Sequence, residues 1–117
     1  MPYKIRRTKE FRDQYRRLTK KDSALQERLE KKIRQIADKP TVGHPKSYAL
    51  KYTRGSHVNP YVIVYMIIEK AESILFLYVD HHDFVYDEAP RAFENIEYDF
   101  PDLWAAMPED LKRYLRR

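Results

Sequence analysis

Two adjacent histidines, His81 and His82, are the residues of this chain best suited to proton transfer. An imidazole changes its protonation state near neutral pH, so it can act as a general base or acid. Neighbouring residues on a strand point to opposite faces, and the pair is therefore not expected to form one bidentate site. By its position relative to Tyr86, His82 is the member expected to face a substrate. A structural or surface role for the pair is the alternative.

Metal binding is the other chemistry that histidines offer. The remaining histidines, His44 and His57, show no ligand spacing, and the chain contains no cysteine. Structural zinc sites are built mostly from cysteine and histidine at characteristic spacings. We therefore expect neither a bound metal nor a cofactor.

The N-terminal part of the chain predicts a short strand followed by two helices. Residues 3–6 suit an edge strand, and Thr8 can cap a helix over residues 9–20. Asp22 or Ser23 can cap a second helix that ends near Asp38. This second helix carries one apolar stripe of Leu25, Leu29, Ile33 and Ile36. With so short a connection, the two helices must fold back on each other as a hairpin.

Three strands are predicted after a loop rich in proline and glycine. The apolar runs at residues 47–52, 61–68 and 73–79 favour strands, and the segments 54–60 and 69–72 favour loops between them. Short connections imply an antiparallel meander. The run at 61–68 is apolar on both faces, which indicates a central strand with the helix hairpin covering one side.

The last 30 residues form a tail interrupted by Pro90, Pro101 and Pro108. Helical turns are expected at residues 102–106 and 109–115. The tail has too many apolar residues to remain in water, so we expect it to pack on the same domain and cover the open sheet face. This divides the chain into a domain at residues 1–87 and a C-terminal extension at residues 88–117.

Charge is distributed unevenly along a chain of net charge +5. Residues 1–39 contain most of the lysines and arginines, whereas residues 70–117 contain most of the acidic side chains. A basic front suggests a surface that binds a polyanion, and an acidic tail could screen that surface. Two solvated surfaces are the alternative. The absence of cysteine and of a long apolar run predicts a cytoplasmic protein without a membrane span.

Three short motifs, in order, resemble the RelE/ParE toxins of toxin–antitoxin modules. Residues 39–46, Lys-Pro-Thr-Val-Gly-His-Pro-Lys, are similar to the family's Pro-x-x-Gly-x-Pro segment. Residues 60–65, Pro-Tyr-Val-Ile-Val-Tyr, are similar to its Tyr-Arg-Val-Ile-Tyr strand, with Val62 in place of the arginine. Residues 77–86 resemble its ending, in which a strand leads to His, Arg and then Tyr. The resemblance implies an α+β fold in which an N-terminal strand and helix hairpin pack on an antiparallel sheet.

The resemblance also implies an activity. RelE-type members cut mRNA in the ribosomal decoding site without a metal, whereas ParE-type members inhibit DNA gyrase by binding. RNA cleavage by a neighbouring 2′-hydroxyl needs a base, an acid and cations. The catalytic candidates are Lys51, Arg54, His82 and Tyr86. An inactive member of the family is a further alternative, which Val62 favours.

A second group of residues is predicted to bind RNA rather than to react with it. Its members are lysines, arginines and histidines. They lie on and just after the first helix, in the loop and near strand ends: Arg16, Arg17, Lys20, Lys21, Lys46, His57 and His81. Phosphate contacts of this kind supply much of the affinity of RNA-binding proteins. The expected partners are a cognate antitoxin, the ribosome and mRNA.

Overall fold

The computed structural model describes residues 2–46 and 52–116. Within these ranges the chain is an α+β protein with five strands and six α-helices. In chain order they are β1 (Lys4–Arg7), α1 (Lys9–Thr19), α2 (Ser23–Asp38), β2 (His44–Pro45), β3 (Arg54–Val58), β4 (Tyr61–Ile68), β5 (Ser73–His81), α3 (Val85–Glu88), α4 (Ile96–Asp99), α5 (Pro101–Ala106) and α6 (Glu109–Leu115).

The helix hairpin, α1 and α2, forms with the caps that the sequence predicts. The Thr8 hydroxyl accepts a hydrogen bond from the Phe11 amide at 3.0 Å, and an Asp22 carboxylate oxygen accepts one from the Leu25 amide at 3.0 Å. These side chains satisfy amides that have no partner inside the helix. Thr8 also donates to the Leu77 carbonyl at 2.8 Å, so the same residue that starts α1 fastens it to β5.

The five strands form one sheet in the order β1-β5-β4-β3-β2. Strands β3, β4 and β5 form an antiparallel meander, in which β4 and β5 correspond to predicted strands and β3 does not, and β1 joins at the edge of β5 in parallel orientation. Parallel neighbours need a long connection, and the one between β1 and β5 contains the helix hairpin and strands β2 to β4. The sheet is therefore mixed rather than purely antiparallel.

Two strands lie where loops were predicted, and one of them is β2 (His44–Pro45), inside the loop rich in proline and glycine. Arg54–Val58 is β3, so the prediction of a loop over residues 54–60 is wrong for most of that segment. Gly55 and Ser56 have low strand propensity, but pairing with β2 and β4 on both sides overrides it. The strand predicted at residues 47–52 lies outside the described residues except for Tyr52, which is in a turn.

Strand β4 separates two apolar cores, because its side chains alternate between the two faces of the sheet. On one face it packs with the helix hairpin, through buried residues that include Phe11, Leu29, Ile33, Ile63 and Tyr65. On the other face it packs with the C-terminal extension, through buried residues that include Val62, Val64, Leu103, Met107 and Leu111. Both faces of the central strand are thus covered.

A bulge in the middle of β5 shapes the edge of the sheet. The pairing register moves by one residue between Val64 and Tyr65, which leaves Leu77 as an extra residue on β5. Bulges bend a strand and change the direction of the side chains beyond them. Beyond this bulge β5 continues to His81, which lies directly opposite Tyr61 at the start of β4.

No helix in residues 2–46 or 52–116 has the length and apolar character that a membrane span requires.

Candidate active site

A tight turn follows β5 and presents three polar residues, His81, His82 and Asp83. The Phe84 amide donates to the His81 carbonyl at 2.9 Å, which closes the turn. The His82 amide donates to the Pro60 carbonyl at 2.9 Å, which ties the turn to the connection between β3 and β4. The three side chains therefore stand on a backbone that is fixed at both ends.

The two imidazole rings lie side by side, with centroids 4.4 Å apart and planes inclined by 33°. Nδ1 of His81 accepts a hydrogen bond from the Asp83 amide at 3.1 Å. A neutral imidazole that accepts at Nδ1 carries its proton on Nε2. His81 is further held by an edge contact to Tyr61, at 6.1 Å between ring centroids.

His82 has the opposite arrangement of donor and acceptor. Its Nδ1 lies 3.0 Å from Oδ1 of Asp83, a distance at which the two groups form an ion pair when the imidazole is protonated. Nε2 is the second ring nitrogen, and 53% of the His82 side-chain surface is exposed to solvent. A carboxylate that orients a histidine in this way is the arrangement used by histidine general bases.

A buried carboxylate, that of Asp80, is hydrogen-bonded to the backbone of the turn. Asp80 is 6% exposed, and its side chain accepts from the His81 amide at 2.8 Å and from the Tyr78 hydroxyl at 3.3 Å. Burial of Tyr78, followed by the negative charge of Asp80, raises the pKa of the Tyr78 hydroxyl, which keeps it protonated and able to donate. By accepting this hydrogen bond from the His81 amide, Asp80 holds the backbone in place where the two histidines begin.

The same three side chains also have the spacing of a metal site, since donor atoms of His81, His82 and Asp83 all lie within 4.8 Å of one another. A metal-bound histidine normally donates its second N–H to an acceptor. Here Nδ1 of His81 instead receives a hydrogen bond from the Asp83 amide. The donor set suits proton transfer better than metal binding, and the expectation of no metal stays a prediction.

Lys46 and Tyr86 form a second polar pair at the rim of the sheet face that carries the extension. The Lys46 Nζ donates to the Tyr86 hydroxyl oxygen at 3.1 Å and lies 4.9 Å from the centre of its ring. The Lys46 side chain crosses Gly55, where an added Cβ would approach Lys46 Cε to 2.6 Å and a Val62 methyl carbon to 3.3 Å. Lys46 is thus a cation close to Val62, the position where the family motif has an arginine.

Arg54 lies away from the histidines. Its Nη1 donates to the Gly43 carbonyl at 2.7 Å, and Arg54 pairs with Tyr65 on β4. His81 pairs with Tyr61, four residues earlier, a separation along the strand of roughly 13 Å. The structure therefore does not bring Arg54 beside the histidines, and Arg54 instead supports the loop that leads to Lys46.

The loop itself is held by Tyr65. The buried Tyr65 hydroxyl donates to the Pro40 carbonyl and accepts from the Gly43 amide at 2.9 Å. A Cβ at Gly43 would come within 2.4 Å of the Tyr65 hydroxyl oxygen, so this position has room only for glycine. The lack of space beside Tyr65 thus explains why the family-like Pro-x-x-Gly segment has glycine at position 43.

The other predicted residues lie on exposed surfaces or outside the described part of the chain. Lys51 lies outside the described residues. His57 is exposed on β3, opposite Val62, near a cleft lined by Arg28, Lys31 and Lys32 of α2. Four cations are exposed on α1 and the turn after it: Arg16, Arg17, Lys20 and Lys21.

Sequence reasoning missed Asp83, although the run Asp-His-His-Asp at residues 80–83 was visible. The contact between Asp83 and His82 depends on the tight turn, and a strand prediction for this segment does not include it. The signal that could have identified Asp83 is its position directly after the histidine pair, at the end of a strand.

Comparison with known proteins assigns this chain to a family. Residues 5–86 match the family model described as the ParE toxin of the type II toxin–antitoxin system parDE. The match spans more than half of the chain, from β1 to Tyr86 of α3. The protein therefore belongs to the ParE family within the RelE/ParE superfamily and is a toxin of a type II toxin–antitoxin system.

Solved structures share this fold. The toxin–antitoxin complex RelBE2 of Mycobacterium tuberculosis contains a chain 25% identical to this one, covering 70% of this chain and 93% of that chain, with a TM-score of 0.62. A free mutant form of the toxin RelE of Escherichia coli is 21% identical over 78% of this chain and 97% of that chain, also with a TM-score of 0.62. Curated protein sequences gave no match.

Proposed function

We propose that this toxin is a ribosome-dependent endoribonuclease that cleaves mRNA and so inhibits translation. The observation that supports this most is the contact between His82 Nδ1 and Asp83 Oδ1 at 3.0 Å, which leaves an exposed basic nitrogen on a fixed turn. A toxin that acts only by binding has no need of an oriented general base. The proposal builds on the RelE-like fold, within which both catalytic and non-catalytic toxins are expected.

The chain supplies a group for each proton that moves. In this mechanism His82 Nε2 takes the proton from a ribose 2′-hydroxyl, and the resulting oxygen attacks the adjacent phosphorus. The bond to the 5′-oxygen breaks, leaving a 2′,3′-cyclic phosphate on one fragment. The 5′-oxygen receives a proton from the Tyr86 hydroxyl, whose own oxygen accepts from Lys46 and whose hydrogen is therefore free to be donated.

Cationic side chains near these groups would stabilise the negative charge that develops at phosphorus. Lys46 is the described cation that contacts Tyr86, and His81 lies 4.4 Å from His82 between ring centroids. Lys51 keeps its proposed catalytic role as a prediction from sequence. Arg54 is proposed to act indirectly, because its guanidinium is bonded to the loop that carries Lys46.

The ribosome is the proposed site of action, and its RNA is the proposed ligand of the basic surface. Arg16, Arg17, Lys20 and Lys21 are exposed together at the end of α1. Contacts from such residues to phosphates orient a protein on RNA without reading its sequence. His57 on β3 lines a cleft with the cations Arg28, Lys31 and Lys32 of α2, which we propose as a further contact to RNA. A cytoplasmic location follows from this proposal, because ribosomes and mRNA are there.

The cognate antitoxin is the proposed protein partner. The solved relative from M. tuberculosis is a toxin–antitoxin complex, and its toxin fold is shared by this chain. We also propose that residues 1–87 form the toxin domain and residues 88–117 an extension of it. The family match ends at residue 86, and the extension packs on the sheet through Leu103, Met107 and Leu111.

A toxin that inhibits DNA gyrase by binding is the second candidate, and the ParE family match favours it. Val62 also favours it, because this residue replaces the motif arginine and is fully buried beneath the extension. An inactive member of the fold is the third candidate on the same ground. Neither alternative explains the exposed His82–Asp83 pair.

The experiment that separates these candidates combines two assays on the same purified protein. We expect cleavage of an mRNA bound to programmed ribosomes, no cleavage of the free mRNA, and no effect on DNA supercoiling by gyrase. His82→Ala should remove cleavage, whereas His44→Ala, an exposed histidine on β2, should retain it. Gyrase inhibition without mRNA cleavage would establish the second candidate, and inactivity in both assays the third.

A further inference from the structure

The C-terminal extension contains a cleft of about 630 Å³ that no part of the proposed reaction uses. All of its lining residues fall between Pro90 and Arg116, beyond the segment that matches the toxin family. The matches cover 93% and 97% of the two solved toxins but only 70% and 78% of this chain. The cleft is therefore a feature of the extension and not of the shared fold.

The walls of this cleft, which we call the aromatic cleft, combine rings with carboxylates. The rings are those of Phe93, Tyr98, Trp104 and Tyr114, and the carboxylates are those of Glu94 and Glu97. Tyr98 is 79% exposed, so its ring is open to solvent at the cleft. Aromatic faces next to negative charge attract cations, and planar cations most of all.

One cation of the chain, Arg116, already occupies the aromatic cleft. The Arg116 guanidinium carbon lies 5.2 Å from the centre of the Trp104 ring, and Arg116 Nη2 lies 3.3 Å from Glu97 Oε1. A guanidinium can stack on a ring and donate in its own plane at the same time, which an ammonium cannot do. The aromatic cleft is thus already arranged around an arginine side chain.

The internal arginine is held weakly enough to be replaced. The side chains of Arg116 and Glu97 are 59% and 40% exposed, and exposed ion pairs contribute little to stability. Arg116 also lies beyond the last residue of α6. Glu94 lines the same cleft and has no ion-pair partner among the described residues, so the cleft retains unneutralised negative charge.

We propose that the aromatic cleft is a binding site for an arginine side chain of the antitoxin, which takes the place of Arg116. This rests on the proposed antitoxin partner but not on the proposed RNA cleavage. The toxin is basic overall, at net charge +5, so a partner residue of positive charge needs a local acidic site such as this one. The cleft would then add a specific contact to an interface outside the shared fold.

The chain offers a direct readout, because Trp104 is its only tryptophan and lines the cleft. We would titrate the full-length protein with N-acetyl-arginine amide and follow the tryptophan fluorescence. N-acetyl-citrulline amide, which has the same shape without the charge, and N-acetyl-lysine amide are the matched controls. We expect saturable binding of the arginine probe at millimolar concentration and binding at least about fivefold weaker for both controls.

Two variants test the geometry. Arg116→Ala vacates the cleft and should tighten binding of the arginine probe several-fold, because the internal competitor is removed. Glu97→Gln should weaken it about fivefold or more by removing the in-plane acceptor. Both positions are on the surface, and circular dichroism would verify the fold. Equal binding of lysine and arginine probes, or no response to either variant, would overturn the proposal whether or not the protein cleaves mRNA.

Discussion

His82 Nδ1 and Asp83 Oδ1 are 3.0 Å apart, on consecutive residues of the turn that ends β5. Adjacent side chains on an extended strand diverge, so this contact exists only because the chain turns there. The turn is closed by the Phe84 amide and fixed to the Pro60 carbonyl by the His82 amide. A flexible loop would lose this orientation, whereas this turn is bonded to the sheet on both sides.

Asp83→Asn should lower the rate of mRNA cleavage by about 10- to 100-fold, less than His82→Ala, which should lower it by about 100-fold or more. The amide can still contact His82 but no longer stabilises the imidazolium that forms when His82 accepts a proton. The measurement is the pH dependence of cleavage for both variants. A rate for Asp83→Asn equal to the wild type at every pH would remove Asp83 from the mechanism.

Tyr86→Phe should reduce cleavage by about 100-fold while leaving the fold intact, because it removes only the hydroxyl that is proposed to protonate the leaving oxygen. The ring that Lys46 contacts is retained. Tyr3→Phe, which removes an exposed hydroxyl bonded to Glu69 far from the turn, is the control. If Tyr86→Phe cleaves as fast as Tyr3→Phe, the acid lies elsewhere.

The elements with the strongest sequence periodicity were predicted well. The caps at Thr8 and Asp22, the end of α2 at Asp38 and the bounds of β4 are confirmed. The missed strand β3 contains Gly55 and His57 and has no apolar alternation of its own. Its structure comes from the neighbours it pairs with, and single-segment propensity does not contain that information.

Tyr65→Phe should destabilise the protein by about 1–3 kcal/mol, because the buried carbonyl of Pro40 and the amide of Gly43 lose their shared partner. Burial raises the pKa of the Tyr65 hydroxyl, so the wild type should also lose stability as the pH rises above about 10, the usual tyrosine value. The Phe variant should lack that part of the alkaline loss. Denaturant unfolding at about pH 7 and about pH 10.5, on either side of that value, measures both effects.

Gly43→Ala provides an independent test of the same loop. Its Cβ would lie 2.4 Å from the Tyr65 hydroxyl oxygen and 3.0 Å from the Gly55 carbonyl oxygen. Overpacking of this kind typically costs about 1–3 kcal/mol. A thermal unfolding midpoint unchanged from the wild type would show that the loop does not need this close approach.

The ion pair between Arg6 and Asp102, at 2.7 Å, joins β1 to the extension and sets a pH dependence. The hydrogen bond from Arg6 lowers the pKa of Asp102 below its ordinary value near 4. Because the folded-state pKa is depressed, the stabilisation is present above about pH 4 and is lost as the pH falls below that value. Because the two side chains are 36% and 62% exposed, we expect acid to destabilise the protein only slightly through this pair, as measured by Trp104 fluorescence during unfolding, and Asp102→Asn to remove that part of the acid dependence. An identical acid transition in the variant would contradict this role.

The candidate site was less predictable than the fold. His82 and Tyr86 were recognised from residue type, but their partners Asp83 and Lys46 are defined by a turn and by a loop that crosses Gly55. Arg54 was grouped with the histidines because both lie at strand ends. The register places His81 opposite Tyr61 at the start of β4 and Arg54 opposite Tyr65 in its middle, and register is set by pairing across the whole sheet.

The most direct test is inducible expression in a bacterial host with the 5′ ends of cellular mRNA mapped for the wild type, His82→Ala and His44→Ala. We expect growth arrest with new cuts inside translated reading frames for the wild type and His44→Ala, and few or none for His82→Ala. Growth arrest without new cuts, or the same cuts in His82→Ala, would contradict the assignment of His82 as the base of an mRNA endoribonuclease.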